Sequence, residues 1–165
     1  MKKYIAILIV AMMMSLAIPL VGADTTDTAT ITVTFNNNAY VEIDVSPSTW
    51  NPTNGVGGGA ENKTDFTLYN NGTASVNVEV KCSDASNGWQ VADLGQSAGH
   101  DTFKMRAYYT GWEDINDTYT TGWITNWVPS DGSKTIGFEY TPPTSSSNSD
   151  ANPTATITIQ ATISG

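Results

Sequence analysis

The chain has 165 residues with 7 Lys+Arg, 16 Asp+Glu, one His and one Cys, giving a net charge of −9. This length corresponds to about one domain. The acidic balance repels phosphate backbones and anionic lipid headgroups, which argues against nucleic acid and membrane surfaces as partners. A single cysteine excludes an intrachain disulfide and a cysteine metal cluster.

The N-terminal segment predicts an export signal rather than part of the fold. Two lysines precede an apolar run over residues 4–20, and small residues follow it. A basic head, an apolar middle and small residues predict a signal peptide over residues 1–23, cut between Ala23 and Asp24. We therefore expect an extracellular or cell-surface protein with no membrane contact after cleavage and a net charge of −11. An uncleaved anchor is the alternative, because about 17 to 20 apolar residues can just span a bilayer.

Apolar and polar residues alternate through the rest of the chain, and no segment has a helical pattern. Alternation with a period of two indicates strands with one buried face. The predicted strands cover residues 28–35, 40–45, 66–69, 76–82, 103–109, 123–128, 136–140 and 155–163. Turn signals rich in Asn, Gly and Pro separate them. We predict one all-β domain over residues 24–165, an antiparallel two-sheet sandwich of about 7–9 strands, immunoglobulin-like or jelly-roll-like.

No residue pattern predicts catalysis. Residues 95–99 (GQSAG) match the G-x-S-x-G pattern, which works only on a strand-to-helix turn with a His later in the chain. The only His is His100, directly after the pattern, so we predict a loop and no catalysis by Ser97. The neighbouring His100 and Asp101 are expected to be solvated, and one His without a Cys pair excludes zinc catalysis. We predict a non-enzyme with no catalytic or cofactor-binding residues.

An acidic segment follows Trp112 and offers oxygen ligands close together. Hard cations such as calcium bind several such oxygens. The spacing lacks the Gly and the bidentate Glu of an EF-hand. A solvated acidic loop is the first expectation and a calcium site is the second, with the candidate ligands Glu113, Asp114, Asn116 and Asp117.

Aromatic residues cluster within twenty positions of the chain. They are Tyr108, Tyr109, Trp112, Tyr119, Trp123 and Trp127. Such rings can fill or cap the core, anchor a neighbouring subunit, or stack on sugar rings. Three alternatives therefore remain open for this cluster. Trp50 and Trp89 are expected to fill the core, and Cys82 is expected to be a buried, inert side chain.

Three N-x-[ST] acceptor sites are present, at Asn62, Asn71 and Asn116. In an exported chain such sites are expected in turns or loops. They carry glycans only where the host glycosylates, as archaea and eukaryotes do.

The signal peptide, the alternating N-terminal strand, the acidic all-β domain and the missing catalytic set together resemble the small exported β-sandwich subunits of prokaryotic filaments. The resemblance is to TasA/camelysin-like biofilm-fibre proteins and archaeal bundling pilins. It implies donor-strand complementation, in which residues 24–35 of one subunit add to the next subunit's sheet and Ile31, Val33 and Phe35 fill its groove. The Gly-rich aromatic junction of that family is absent, because DTTDTA follows Ala23.

These observations predict an exported structural or adhesion protein, forming a homo-oligomer or homopolymer such as a pilus or a biofilm-matrix filament. The alternative is a secreted carbohydrate-binding module that binds a polysaccharide or surface glycan through the aromatic residues between positions 108 and 127.

Overall fold

The computed structural model describes residues 39–148 and 152–165, and within them the chain is all-β with two sheets. The predicted fold class is confirmed at that level. The described strands are β1 (Ile43–Ser46), β2 (Glu61–Asn70), β3 (Val76–Cys82), β4 (Gln90–Val91), β5 (Thr102–Tyr108), β6 (Trp112–Ile115), β7 (Thr120–Trp127), β8 (Lys134–Thr141) and β9 (Ile157–Ile163). One turn of 3-10 helix, Pro129–Asp131, joins β7 to β8. The predicted signal peptide and the predicted strand 28–35 lie outside the described residues.

The larger sheet has six strands and curls into a half-barrel. Its order is β1-β2-β8-β5-β4, with β6 also paired to β5. The pairs are antiparallel except β4 and β5, which run parallel. Gly137 of β8 is needed at this position, because a Cβ there would lie 2.9 Å from the Lys63 carbonyl oxygen at the irregularity of β2.

The smaller sheet has the order β7-β3-β9 and is antiparallel. Its central strand β3 shows the predicted alternation, since Val76, Val78, Val80 and Cys82 are all fully buried. They pack with aromatic residues from both sheets in one core. Trp89 lies in that core as predicted, and Trp50 packs against it while partly exposed.

The prediction of an acidic loop at residues 112–117 was wrong for its first four residues. Trp112–Ile115 form strand β6, in which Asp114 lies opposite Arg106 and Ile115 lies opposite Met105. Burial of Ile115 and the ion pairs of Asp114 stabilise this strand despite its charge. Within the described part of the chain, no helix has the length and hydrophobicity needed to span a bilayer.

Candidate functional site

An open groove of about 900 Å³ penetrates the core beside β9. Large apolar side chains of both sheets line it, among them Phe66, Cys82, Trp89, Phe103, Met105, Phe138, Tyr140, Ile157 and Ile159. These residues belong to the core or pack against it. The groove therefore borders the core formed by the described residues.

The inner face of β9 is only partly covered. Ile157, Ile159, Ala161 and Ile163 lie opposite the four buried residues of β3 and face the same side of the sheet. None of the four is itself buried, and Ile163 is 54% exposed. An apolar row that is only partly covered at the edge of a sheet is a candidate contact surface for a further apolar segment.

The backbone of β9 has one paired edge and one edge without a partner among the described strands. Ser83 N donates to Thr156 O, and Ser164 N donates to Ser75 O. Hydrogen-bonded pairs recur at every second residue of an antiparallel ladder, so the even-numbered residues of β9 bond to β3. The odd-numbered residues therefore direct their N–H and C=O groups to the other edge. These are the residues whose side chains form the apolar row.

Loop residues 47–56 form one wall of the groove. The carboxylate of Glu61 holds this wall by accepting hydrogen bonds from Thr53 N (2.8 Å), Thr53 Oγ1 (3.0 Å) and Asn54 N (3.1 Å). The backbone hydrogen bond from Thr53 is the main reason why the pKa of Glu61 lies below its ordinary value. Gly57, at φ +74°, continues the chain and donates its N–H to Pro143 O.

A second carboxylate holds the serine-rich segment near Trp89. Asp101 accepts hydrogen bonds from Ser147 Oγ, Ser146 Oγ and Ser147 N, which lower its pKa to about 2. Trp89 Nε1 donates to Ser146 Oγ at 2.7 Å. The groove-lining indole is thereby joined to Asp101 through one serine hydroxyl.

Cys82 lines the groove but has the buried, inert character predicted for it. Burial, with a smaller contribution from the charge of Asp84, raises the pKa of its thiol to about 12. The thiol is therefore a poor nucleophile at neutral pH.

The aromatic residues that cluster between positions 108 and 127 are divided between core and surface. Trp123 and Trp127 are buried in the core and cannot stack on an external ligand. Tyr108 and Trp112 are partly exposed and contact each other, with ring centroids 5.2 Å apart. Tyr119 lies elsewhere, against the ammonium group of Lys81.

Two of the four predicted calcium ligands, Glu113 and Asp114, do not face the same side of β6. They are adjacent in that strand and therefore point to opposite faces. Asp114 binds Lys104 Nζ at 2.9 Å and Arg106 Nε at 3.2 Å. Burial raises the pKa of Asp114, but these cations and the N–H of Gly95 outweigh it and lower the pKa overall. Among the described residues, no group of three or more His, Cys, Asp or Glu side chains could hold a metal ion.

The structure also places the remaining predicted residues. His100 Nδ1 lies 3.0 Å from Ser145 Oγ. The hydroxyl group that contacts this imidazole therefore belongs to Ser145 and not to Ser97. Asn62 is exposed but lies in strand β2 and not in a turn or loop as predicted. Asn71 is exposed after β2, and Asn116 is half-buried with its Oδ1 accepting hydrogen bonds from Thr118. The proposed partner-strand residues Ile31, Val33 and Phe35 lie outside the described residues.

The sequence did not predict that residues 47–56 form a wall of the groove or that β9 borders it. The glycine-rich stretch at residues 55–59 predicts a loop but gives no sign of what the loop contacts. The alternation in β9 predicts an apolar face but not that this face is only partly covered. Comparisons with protein-family models, with curated proteins and with solved structures find no match.

Proposed function

We propose that this protein is an exported, non-catalytic structural subunit of an extracellular filament or cell-surface assembly built by β-strand addition. We further propose that its two sheets form an immunoglobulin-like or jelly-roll-like sandwich completed by the added strand. The observation that carries the proposal is the partly covered apolar row of β9, whose outward-directed backbone groups also lack a partner among the described strands.

A strand that fills this site must meet two requirements at once. It must offer backbone N–H and C=O groups to the edge of β9, and alternate apolar side chains to the groove. Residues 28–35 (TATITVTF) have this pattern, because Ala29, Ile31, Val33 and Phe35 alternate with threonines. Strand addition between copies would also cover an edge that otherwise promotes uncontrolled aggregation.

Electron microscopy and sedimentation of the purified chain 24–165 test the proposal. We expect ordered fibres from the unchanged chain and dispersed particles from Val33→Asp, because a carboxylate cannot enter an apolar groove without a large desolvation cost. Thr32→Asp is the matched control, since it changes the polar face of the same segment, and it should still form fibres. Monodisperse particles from the unchanged chain at high concentration, or fibres from Val33→Asp, would contradict the proposal.

A carbohydrate-binding function has one supporting observation. Tyr108 and Trp112 form a partly exposed aromatic pair, and the Arg106 guanidinium lies 5.7 Å from the Trp112 ring centroid. Aromatic rings beside a polar group can stack on a sugar. If this function exists, Trp112→Ala should abolish polysaccharide pull-down, whereas replacement of the exposed Tyr69 by Ala should leave it unchanged.

A further inference from the structure

An open pocket of about 290 Å³ lies where β7 departs from regular strand geometry, and residues 122–127 line it. The three steps from Ile124 to Trp127 lie opposite only two steps of β3, from Val78 to Val76. Bulges of this kind redirect side chains and often occur beside functional sites. Consecutive residues of a regular strand face opposite sides, yet Trp123 and Ile124 are both buried.

The backbone of this pocket wall is fixed in an unusual conformation. Gly122 has φ +76° and Asn126 has φ +51°, both in the left-handed region. Asn is one of the few residues besides Gly that adopts this region readily. Asn77 Oδ1 in β3 accepts a hydrogen bond from Asn126 N at 2.9 Å. The bulged part of β7 is therefore held against β3.

One indole N–H at the pocket has no partner. Trp123 lines the pocket and is 5% exposed, and its Nε1 is buried without a hydrogen-bond partner among the described residues. A buried donor without an acceptor is unfavourable, and most such donors in proteins are paired. Trp127 also lines the pocket, but its Nε1 donates to Gly132 O at 3.1 Å. Only the Trp123 indole of this pair is available to an acceptor from outside the chain.

The polar side chains of the pocket carry both signs of charge. Asp131 and Lys134 line it together with Thr125 and Asn126, and Lys134 Nζ lies 6.0 Å from the Trp127 ring centroid. An ionised carboxylate only accepts hydrogen bonds, whereas an ammonium group only donates them. A ligand that suits both must donate and accept. Hydroxyl groups do both.

We infer that this pocket binds one hexose unit at the end of a glycan chain. The sugar hydroxyls can donate to Asp131 and accept from Lys134 and from the Trp123 indole. Ligand pockets in proteins begin at about 300 Å³, so this pocket of about 290 Å³ accommodates one sugar ring while the rest of the glycan extends through the opening. The inference goes beyond the proposed function, and its site involves neither β9 nor the Tyr108–Trp112 pair.

An NMR titration with the methyl glycosides of glucose, galactose and mannose tests the inference, because the indole N–H of Trp123 gives its own signal. Spectra are recorded on the Val33→Asp chain expressed from the full sequence, which the proposed function predicts to be dispersed. If the unchanged chain forms no fibres, it is used instead. We expect at least one glycoside to shift the Trp123 signal saturably, with the midpoint at millimolar concentration, as suits a ligand of few atoms.

Two variants show whether the sugar binds in this pocket. Asp131→Ala should raise the midpoint roughly tenfold or more, because it removes a charged hydrogen-bond acceptor at an exposed position. Trp112→Ala is the matched control and should leave the midpoint unchanged.

The absence of a saturable shift with all three glycosides would overturn the inference and would show that water alone satisfies the indole. An unchanged midpoint in Asp131→Ala would also overturn it, as would loss of the shift in Trp112→Ala. None of these results bears on the proposed function, which is tested by fibre formation.

Discussion

Val76 and Ile163 lie directly opposite each other across β3 and β9, yet Val76 is fully buried and Ile163 is 54% exposed. Paired residues in adjacent strands face the same side of a sheet, so their exposure usually matches. Val76 belongs to the central strand of its sheet and lies in the core cluster, whereas Ile163 lies in β9, which has a described neighbour on one side only. An added apolar strand would give both residues the same environment.

The exposure of Ile163 leads to a prediction about assembly. We expect Ile163→Lys to change the free energy of unfolding of the dispersed chain by less than about 0.5 kcal/mol, because the side chain is mostly in water. The same variant should raise the concentration needed for fibres by roughly tenfold or more, corresponding to ~1.4 kcal/mol at the contact. Thr162→Lys, on the polar face, is the control and should form fibres like the unchanged chain. Equal fibre formation by both variants would contradict the prediction.

The core makes a separate prediction about stability. Leu68 is 1% exposed between the sheets, whereas Leu94 is 54% exposed in a loop. We expect Leu68→Ala to lower the free energy of unfolding by about 2–5 kcal/mol, because it removes buried methyl groups and leaves a cavity. Leu94→Ala should change it by less than about 0.5 kcal/mol. Urea denaturation of both variants measures the difference, and similar losses would show that the core lies elsewhere.

The serine cluster around Asp101 predicts a pH-dependent contribution to stability. Hydrogen bonds from Ser147 and Ser146 lower the pKa of Asp101 from 3.8 to about 2 in the folded chain. A lowered folded-state pKa stabilises the fold fully above the unfolded value, and this stabilisation is lost as the pH falls towards 2.

The unchanged chain should therefore be more stable than Asp101→Asn at pH 5, where almost all of the Asp101 carboxyl is ionised. This stability difference should shrink as the pH falls through the range between 3.8 and about 2. Urea midpoints across this range measure the difference, with Asp93→Asn in an exposed loop as the control. A difference that grows on acidification would contradict the account.

Cys82 provides a test of burial beside the groove. Its thiol is buried and its pKa is raised to about 12, so almost no thiolate exists at pH 8. We expect no reaction with a thiol reagent in the folded chain and one equivalent in denaturant. Introduction of an exposed neighbour, Ser83→Cys, should give one rapidly reacting thiol. Rapid labelling of Cys82 in the folded chain would show that water reaches it through the groove.

Alternation in the sequence was sufficient to predict the class of fold and the buried face of β3. Residues such as Val78 and Val80 reveal their face because the period of a strand is two. The state of β9 could not be predicted in this way. Its isoleucines alternate as regularly as the valines of β3, but their burial depends on which element covers them, and that depends on sheet order.

The structure of the acidic segment also depends on strand pairing that the sequence pattern does not indicate. Asp114 lies in a strand because Lys104 and Arg106, which are close only after β5 and β6 pair, compensate its charge. Residues adjacent to Asp114 in the sequence do not indicate that β5 and β6 pair. The groove wall is a further case, since Glu61 contacts Thr53 and Asn54 only after the loop folds back on β2.

Amide hydrogen exchange along β9 in fibres and in dispersed protein tests the central claim most directly. The account predicts that the N–H groups of Thr158, Gln160 and Thr162 are protected in both states, because they bond to β3. Those of Ile159, Ala161 and Ile163 should exchange rapidly in the dispersed Val33→Asp chain and become protected in fibres of the unchanged chain. Odd-numbered amides that stay unprotected in fibres, or are already protected in the dispersed chain, would contradict strand addition between copies at this edge.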